Sequence, residues 1–231
     1  MNELKFIHIP KCAGTTIEVI GKENNIKWGM DGRKIKRGFE NPIDNILIDI
    51  SDYLGHFLHS LNLPFITPNL FTTFSLIITF IAIYYIYYKQ YKLGSVLYLI
   101  GYFFDCMDGN YARKYNMVTD FGDKFDHFSD IIKYLSLLLI IYFLDINKKS
   151  KILFYIISIL LCIVSSIALG CQEHHYDDDN NNKQQTMLTL LKNLCKNKDN
   201  IKYTKYIGSG TFMLITSILI YNIQNIHNLF Q

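Results

Sequence analysis

Four aspartates interrupt runs that are otherwise apolar. Asp105 and Asp108 stand three apart, and Asp126 and Asp130 stand four apart. Those spacings put each pair on one face of a helix. A carboxylate inside a membrane helix is expensive, and such residues mark functional sites whose partners stand close by. Four hard oxygen donors converging from two neighbouring helices repel one another unless cations sit between them. Oxygen-only ligands of this kind suit Mg²⁺ or Mn²⁺.

The elements that must position these acids are helical and membrane-bound. Residues 42–61, PIDNILIDISDYLGHFLHSL, place Ile43, Ile46, Leu47, Ile50, Leu54, Phe57 and Leu61 on one face, with Asp44, Asp49 and Asp52 opposite. This pattern predicts an amphipathic helix along a membrane surface or against a partner helix. After Pro64 and Pro68, residues 70–88 form an uncharged run long enough to span a bilayer, with tyrosines at its end suited to the interface. The second span starts near Leu93 and runs into the first acidic pair. The third starts near Phe121 and leaves the second pair for IIKYLSLLLIIYFL. Residues 152–171 form a fourth. A polar stretch follows, including DDDNNN and a short amphipathic segment, TMLTLLKNLCK. The fifth, about 207–223, opens with Gly208, Ser209 and Gly210, small residues that permit close packing. The expectation is an all-α integral membrane bundle of about five spans with an N-terminal interfacial helix.

Composition bounds the remaining classes. A net charge of +3 across 231 residues, with no basic stripe, excludes nucleic acid as the expected partner. The five cysteines are odd in number and scattered, which predicts neither a disulfide framework nor a zinc site. His174 and His175, near Asp177 to Asp179, read as part of a solvated charged loop. The N-terminus lacks a basic start followed by an apolar core, so no cleavable signal peptide is expected and the first span directs insertion. Eight lysines and arginines lie in the first 41 residues, Arg113 and Lys114 in the second-to-third connection, and six in the long polar loop. The opposite side holds Lys89, Lys92, Lys148, Lys149 and Lys151. This balance points the acidic motif toward the cytosol.

Written out, the central stretch is Asp105-x-x-Asp108-Gly109-x-x-Ala112-Arg113, eight residues, then Gly122-x-x-x-Asp126-x-x-x-Asp130. It resembles the signature of the CDP-alcohol phosphotransferase family at all eight defined positions. The preceding amphipathic helix and the Thr67-Pro68-Asn69 turn are also similar to that family, so the resemblance covers about residues 42–225. It implies an enzyme that moves a phosphatidyl or phospho-head-group unit from a CDP-alcohol donor to a lipid or polar alcohol acceptor, releasing CMP, in phospholipid synthesis. The family usually has six spans. It further implies a two-metal site for Mg²⁺ or Mn²⁺, with Asp105, Asp108 and Asp126 as ligands. The resemblance also implies Asp130 as a fourth member of the metal set, with the further role of general base. The physical reasons agree: a doubly negative diphosphate must be neutralised before an alcohol approaches, and cations stabilise the leaving CMP.

Around the acids, Gly109 and Ala112 keep one helix face narrow for the nucleotide or the next helix. Arg113 offers a planar fork to a phosphate or steadies Asp105. Gly122 lets the third span begin close to the second. The run Gly122 to Asp130 also resembles the G-E-L-F-D-H-G-C-D of choline and ethanolamine phosphotransferases, which implies that His127 and Asp123 assist deprotonation of the acceptor. A helix-facing histidine satisfied by water is the plainer reading of His127.

Residues 1–41 are polar and basic, a separate appendage before the membrane domain at 42–231. FIHIPKCAGTTI resembles the phosphosulfate-binding loop of membrane-type sulfotransferases, which implies that Lys11 and Thr15 face phosphate groups. Two other readings remain open. A cation transporter explains the aspartates but not the Gly-x-x-Ala-Arg spacing. An inactive family member accounts for the missing sixth span, as does a second copy of the chain closing the site as a homodimer.

Overall fold

The computed structural model describes residues 32–179, 187–195 and 197–230. These belong to a compact unit that begins at Gly32. The sulfotransferase-like loop, with Lys11 and Thr15, lies outside the described residues. Among those described, all regular structure is helical: α1 (Pro42–Ser60), α2 (Pro68–Tyr87), α3 (Tyr91–Lys114), α4 (Asp120–Phe143) and α5 (Lys148–Asp179), then a 3₁₀ segment at Met187–Leu194 and the short α6 (Ile201–Thr204), α7 (Ser209–Tyr221) and α8 (Ile223–Asn228). The expected all-α class is what the described residues adopt.

Local signals set the boundaries. Pro42 and Pro68 occupy first-turn positions, where the missing N–H costs nothing. The Asn41 side chain accepts from Ile43 N at 2.9 Å and caps α1. Thr119 caps α4 by accepting from Gly122 N at 3.0 Å, and Asp120 and Asp123 in that first turn complement the helix dipole. Between α3 and α4, Asn116 takes a left-handed φ of 54°, a conformation asparagine tolerates better than most residues.

Among the described residues, two helices, α2 and the 148–174 part of α5, are long and apolar enough to cross a membrane. The surface is apolar and much of the interior polar. On α4, Ile131, Leu135, Leu139 and Phe143 are exposed, while Ser129 and Lys133 are buried beside Leu137 and Ile141. Water would not tolerate that arrangement along so many helices, whereas a lipid solvent favours it. The segment α7 has 13 residues. At 1.5 Å per residue that is about 20 Å, short of the roughly 30 Å hydrocarbon core.

The orientation of α1 differs from a simple two-faced helix. Its inward stripe is Asp44, Ile48, Ser51 and Gly55, mostly small or polar, while Ile46, Ile50, Tyr53 and Phe57 point outward. Asp44 is therefore buried rather than on a solvated face. It accepts from Tyr102 Oη at 2.7 Å and from Gly210 N at 3.2 Å. Burial pushes its carboxyl up to about 7, against the pull of the Tyr102 hydroxyl. A Cβ on Gly210 would collide with Asp44 Oδ1, so the close packing expected at that glycine has a specific neighbour. Gly55 packs on the Tyr111 ring, where a Cβ would come within 3.3 Å.

Three further expectations need correction. The helices bearing the acidic pairs are consecutive in sequence but make little direct backbone contact with each other; both lean on α2. The connection 115–119 turns the chain and leaves a space between them. Cysteine parity also misled: Cys171 and Cys195 form a disulfide. The pairing is a tertiary event, made where the 3₁₀ segment folds onto α5 so tightly that a Cβ on Gly170 would collide with the Leu191 carbonyl oxygen. Helix α5 also continues to Asp179, so His174 sits on a helix, its Nε2 3.2 and 3.1 Å from the carbonyls of Lys192 and Cys195. The side chains of His175 and Asp177 to Asp179 lie outside the described residues.

Candidate metal centre and substrate cleft

Helix periodicity brings Asp105 and Asp108 onto the inner face of α3 and Asp126 onto that of α4. Asp105, Asp108 and Asp126 each offer one carboxylate oxygen, and the three oxygens lie within 4.8 Å of one another. Asp108 is buried and its Oδ2 accepts from Thr72 Oγ1 at 2.6 Å. Asp105 Oδ1 accepts from Ser75 Oγ at 3.3 Å and from Lys133 Nζ. Asp126 Oδ1 is buried with no hydrogen-bond partner. Three clustered carboxylates, one of them with a buried oxygen that lacks a partner, are a donor set a divalent cation would complete, and the residues present fit such an ion.

Beside this cluster lies a cleft of about 140 Å³. Asp108, Gly109, Ala112 and Arg113 line it from α3, Asp120, Gly122, Asp123 and Asp126 from α4, and Pro68, Asn69 and Thr72 from α2. Lys34, Met117, Val118 and Thr119 complete it. The small residues of the motif therefore form the wall of a cavity. Gly109 lies under its own helix's arginine: a Cβ there would be 3.0 Å from Arg113 Nη1. Arg113 Nε donates to the Gly32 carbonyl at 2.8 Å, which holds the guanidinium beside the cleft. Gly122 does not bring the third span against the second. A Cβ on Gly122 would lie 3.2 Å from Asn69 Oδ1 and 3.0 Å from Thr119 Oγ1. The close approach is to the start of α2, because α2 is the helix α4 leans on.

The remaining site residues divide. Asp130 lies outside the three-carboxylate group; its Oδ1 pairs with Lys133 Nζ at 2.8 Å, and half of its side chain is exposed. His127 Nδ1 lies 2.7 Å from the Asp123 backbone oxygen, one turn back. A carbonyl only accepts, so this geometry assigns the proton to Nδ1 and leaves Nε2 as the acceptor. The same Nδ1 is 3.7 Å from the Asp123 carboxylate and 3.9 Å from that of Asp126.

Three residues at the centre escaped the sequence reading: Thr72, Ser75 and Lys133. The first two look like ordinary small residues of an apolar span, and only the packing of α2 on α3 reveals their acceptors. Lys133 did carry a signal. A lysine three residues after Asp130, inside IIKYLSLLLII, is as anomalous in a membrane helix as the aspartates.

A family profile described as CDP-alcohol phosphatidyltransferase matches residues 65–230. Among curated proteins, an uncharacterized protein of Aquifex aeolicus (strain VF5) is 33% identical over 76 residues, 31% of this chain and 39% of that one. The CDP-diacylglycerol–glycerol-3-phosphate 3-phosphatidyltransferases of Rickettsia typhi and Rickettsia felis are 49% identical over 39 residues, 17% of this chain and 22% of theirs. The matched part is thus about two fifths or less of each relative's length. No solved structure matches the chain.

Proposed function

The chain belongs to the CDP-alcohol phosphatidyltransferase family, and from that membership we propose that it moves a phosphatidyl or phospho-head-group unit from a CDP-alcohol to an acceptor hydroxyl, releasing CMP, in phospholipid synthesis. The observation that carries this reading is the coincidence of the three-carboxylate cluster with a cleft lined by Gly109, Ala112, Arg113 and Gly122. A transporter path needs the acids but has no use for small residues spaced along one wall of a cleft beside them.

In this reading Asp105, Asp108 and Asp126 would hold Mg²⁺ or Mn²⁺. When bound, such a cation neutralises the diphosphate and stabilises the departing CMP. Thr72 fixes the rotamer of Asp108, and Ser75 and Lys133 fix that of Asp105, so the ligands are oriented before substrate arrives. Arg113 presents positive charge to a phosphate in the cleft, which Lys34 also lines while paired with Glu173. Asp130, half open and beside the cluster, accepts the proton of the attacking hydroxyl. His127, whose Nδ1 lies 3.9 Å from the Asp126 carboxylate, offers its other ring nitrogen as an alternative proton acceptor.

The protein is read as a multi-pass membrane protein of about five spans, α2, α3, α4, α5 and the α7–α8 stretch, with the cleft toward the cytosol. Here α1 lies in the interface, its apolar face to lipid. A second copy of the chain would close the site if five spans leave it open. Residues 1–41 form a polar appendage in this scheme.

The test crosses two donors, CDP-diacylglycerol and a CDP-amino alcohol, with a panel of acceptors, and reads CMP released by purified full-length protein with Mg²⁺ or Mn²⁺. The panel begins with glycerol 3-phosphate, the acceptor in the names of the Rickettsia relatives, and includes diacylglycerol. CMP release from one pair supports the proposal; silence from every pair sinks it. Mn²⁺ flux into liposomes carrying the protein would favour a transporter.

A further inference from the structure

Lys133 stands in a run whose neighbours Ile131, Ile132 and Leu135 face outward, yet it is only 3% exposed. Its ammonium has three donors, and each meets an acceptor: Asp105 Oδ1, Asp130 Oδ1 at 2.8 Å and Ser75 Oγ at 3.0 Å. Ser75 closes the ring by donating to Asp105 Oδ1 at 3.3 Å. The partners come from α2, α3 and α4, so the ammonium fastens together the three helices that build the site.

Asp105 belongs to two groups. It shares the metal-type cluster with Asp108 and Asp126, and it shares Lys133 with Asp130. The first group ends in an orphaned oxygen, Asp126 Oδ1. The second is already filled by a cation. A divalent ion placed between Asp105 and Asp130 would have to evict a buried ammonium from all three of its acceptors, which leaves an uncompensated charge in the interior.

We propose that Lys133 is a built-in second cation: it occupies the position between Asp105 and Asp130, limits the cluster to one exchangeable divalent ion at Asp105, Asp108 and Asp126, and keeps Asp130 off the metal. This rests on the metal-dependent transferase reading above and sharpens it. In this arrangement Lys133 is a positioning residue. It holds Asp130 at a fixed place beside the cluster without touching substrate.

The experiment counts Mn²⁺ bound to the full-length protein in detergent, by equilibrium dialysis with electron paramagnetic resonance of the free ion, alongside CMP release. Wild type is expected to bind one Mn²⁺ per chain, Asp108→Asn none, and Lys133→Met two, because removing the ammonium opens the Asp105–Asp130 position. Asp130→Asn should leave the Mn²⁺ dissociation constant within about twofold, since loss of a true ligand or its support costs about 10- to 100-fold. Two ions per wild-type chain, a tenfold weaker Asp130→Asn, or a Lys133→Met protein that still binds one would each overturn the proposal. If Lys133→Met fails to fold, the wild-type count and Asp130→Asn decide it. Two ions together with CMP release remove the role of Lys133 and leave the enzyme. One ion without CMP release from any pair does the reverse, and no ion at all removes both.

Discussion

The two ends of helices α3 and α4 obey different rules. Toward the C-terminal end of α4 and the N-terminal end of α3, the interior is Leu137, Ile141, Tyr98 and Ile86, with Ile220 from α7, a cluster of interlocking apolar side chains. Toward the other end, the same helices meet through Asp105, Asp108, Asp126, Asp130 and Lys133, tied by Thr72 and Ser75. The first region is held by many weak contacts that tolerate replacement in proportion to volume lost. The second is held by a few directed ones, and each member is left uncompensated when its partner goes.

Substitutions in the two regions should therefore separate activity from stability. The largest effect is expected at Asp130. Asp130→Asn should cut CMP release by about 10²–10⁴-fold, the usual contribution of a general base, a loss far larger than the drop in thermal midpoint from leaving Lys133 with Asp105 as its remaining carboxylate partner. A comparable activity in the variant would move the base elsewhere, with His127 the next residue to test. Thr72→Val removes the hydroxyl that orients Asp108 and keeps the shape of the side chain. It should weaken Mn²⁺ affinity or CMP release by about 10- to 100-fold.

At the apolar end the signature reverses. Leu137→Ala should lower stability by about 2–5 kcal/mol through the cavity it leaves, while the specific activity of the surviving folded protein stays at the wild-type level. If activity per folded molecule falls instead, the two ends are coupled and the contrast fails.

The smallest effect is a pH dependence at the joint between α1 and α7. The Asp44 carboxyl is raised by burial from 3.8 to about 7. A raised folded value means the folded state holds the proton more tightly. The stabilisation is complete below the unfolded value and is lost as pH rises through about 7. Between pH 6 and 8 the wild type should lose about 1 kcal/mol of stability from this group, read as a falling thermal midpoint. Asp44→Asn should flatten that slope.

How much of this was legible in the sequence follows from where each signal is stored. Asp105, Asp108, Asp126 and Asp130 announce themselves because a carboxylate in an apolar run has no bland explanation, and the fixed spacing of Gly109, Ala112, Arg113 and Gly122 adds the family. The helices follow from apolar run length, from Pro42 and Pro68, and from caps such as Thr119. Those are local properties, set by backbone geometry within a turn or two.

Tertiary structure decided the rest, because it depends on which helix lies beside which. Sequence order suggested that α3 packs on α4; the structure puts α2 against both, and so makes Thr72, Ser75 and Asn69 part of the site. It turned the polar stripe of α1 inward, buried Asp44 against Gly210, and joined Cys171 to Cys195. It also divided the four aspartates, which the sequence offers as one set, into a three-carboxylate cluster and a partner of Lys133. Spacing along a helix fixes which face a residue occupies, but only packing between helices determines what that face meets.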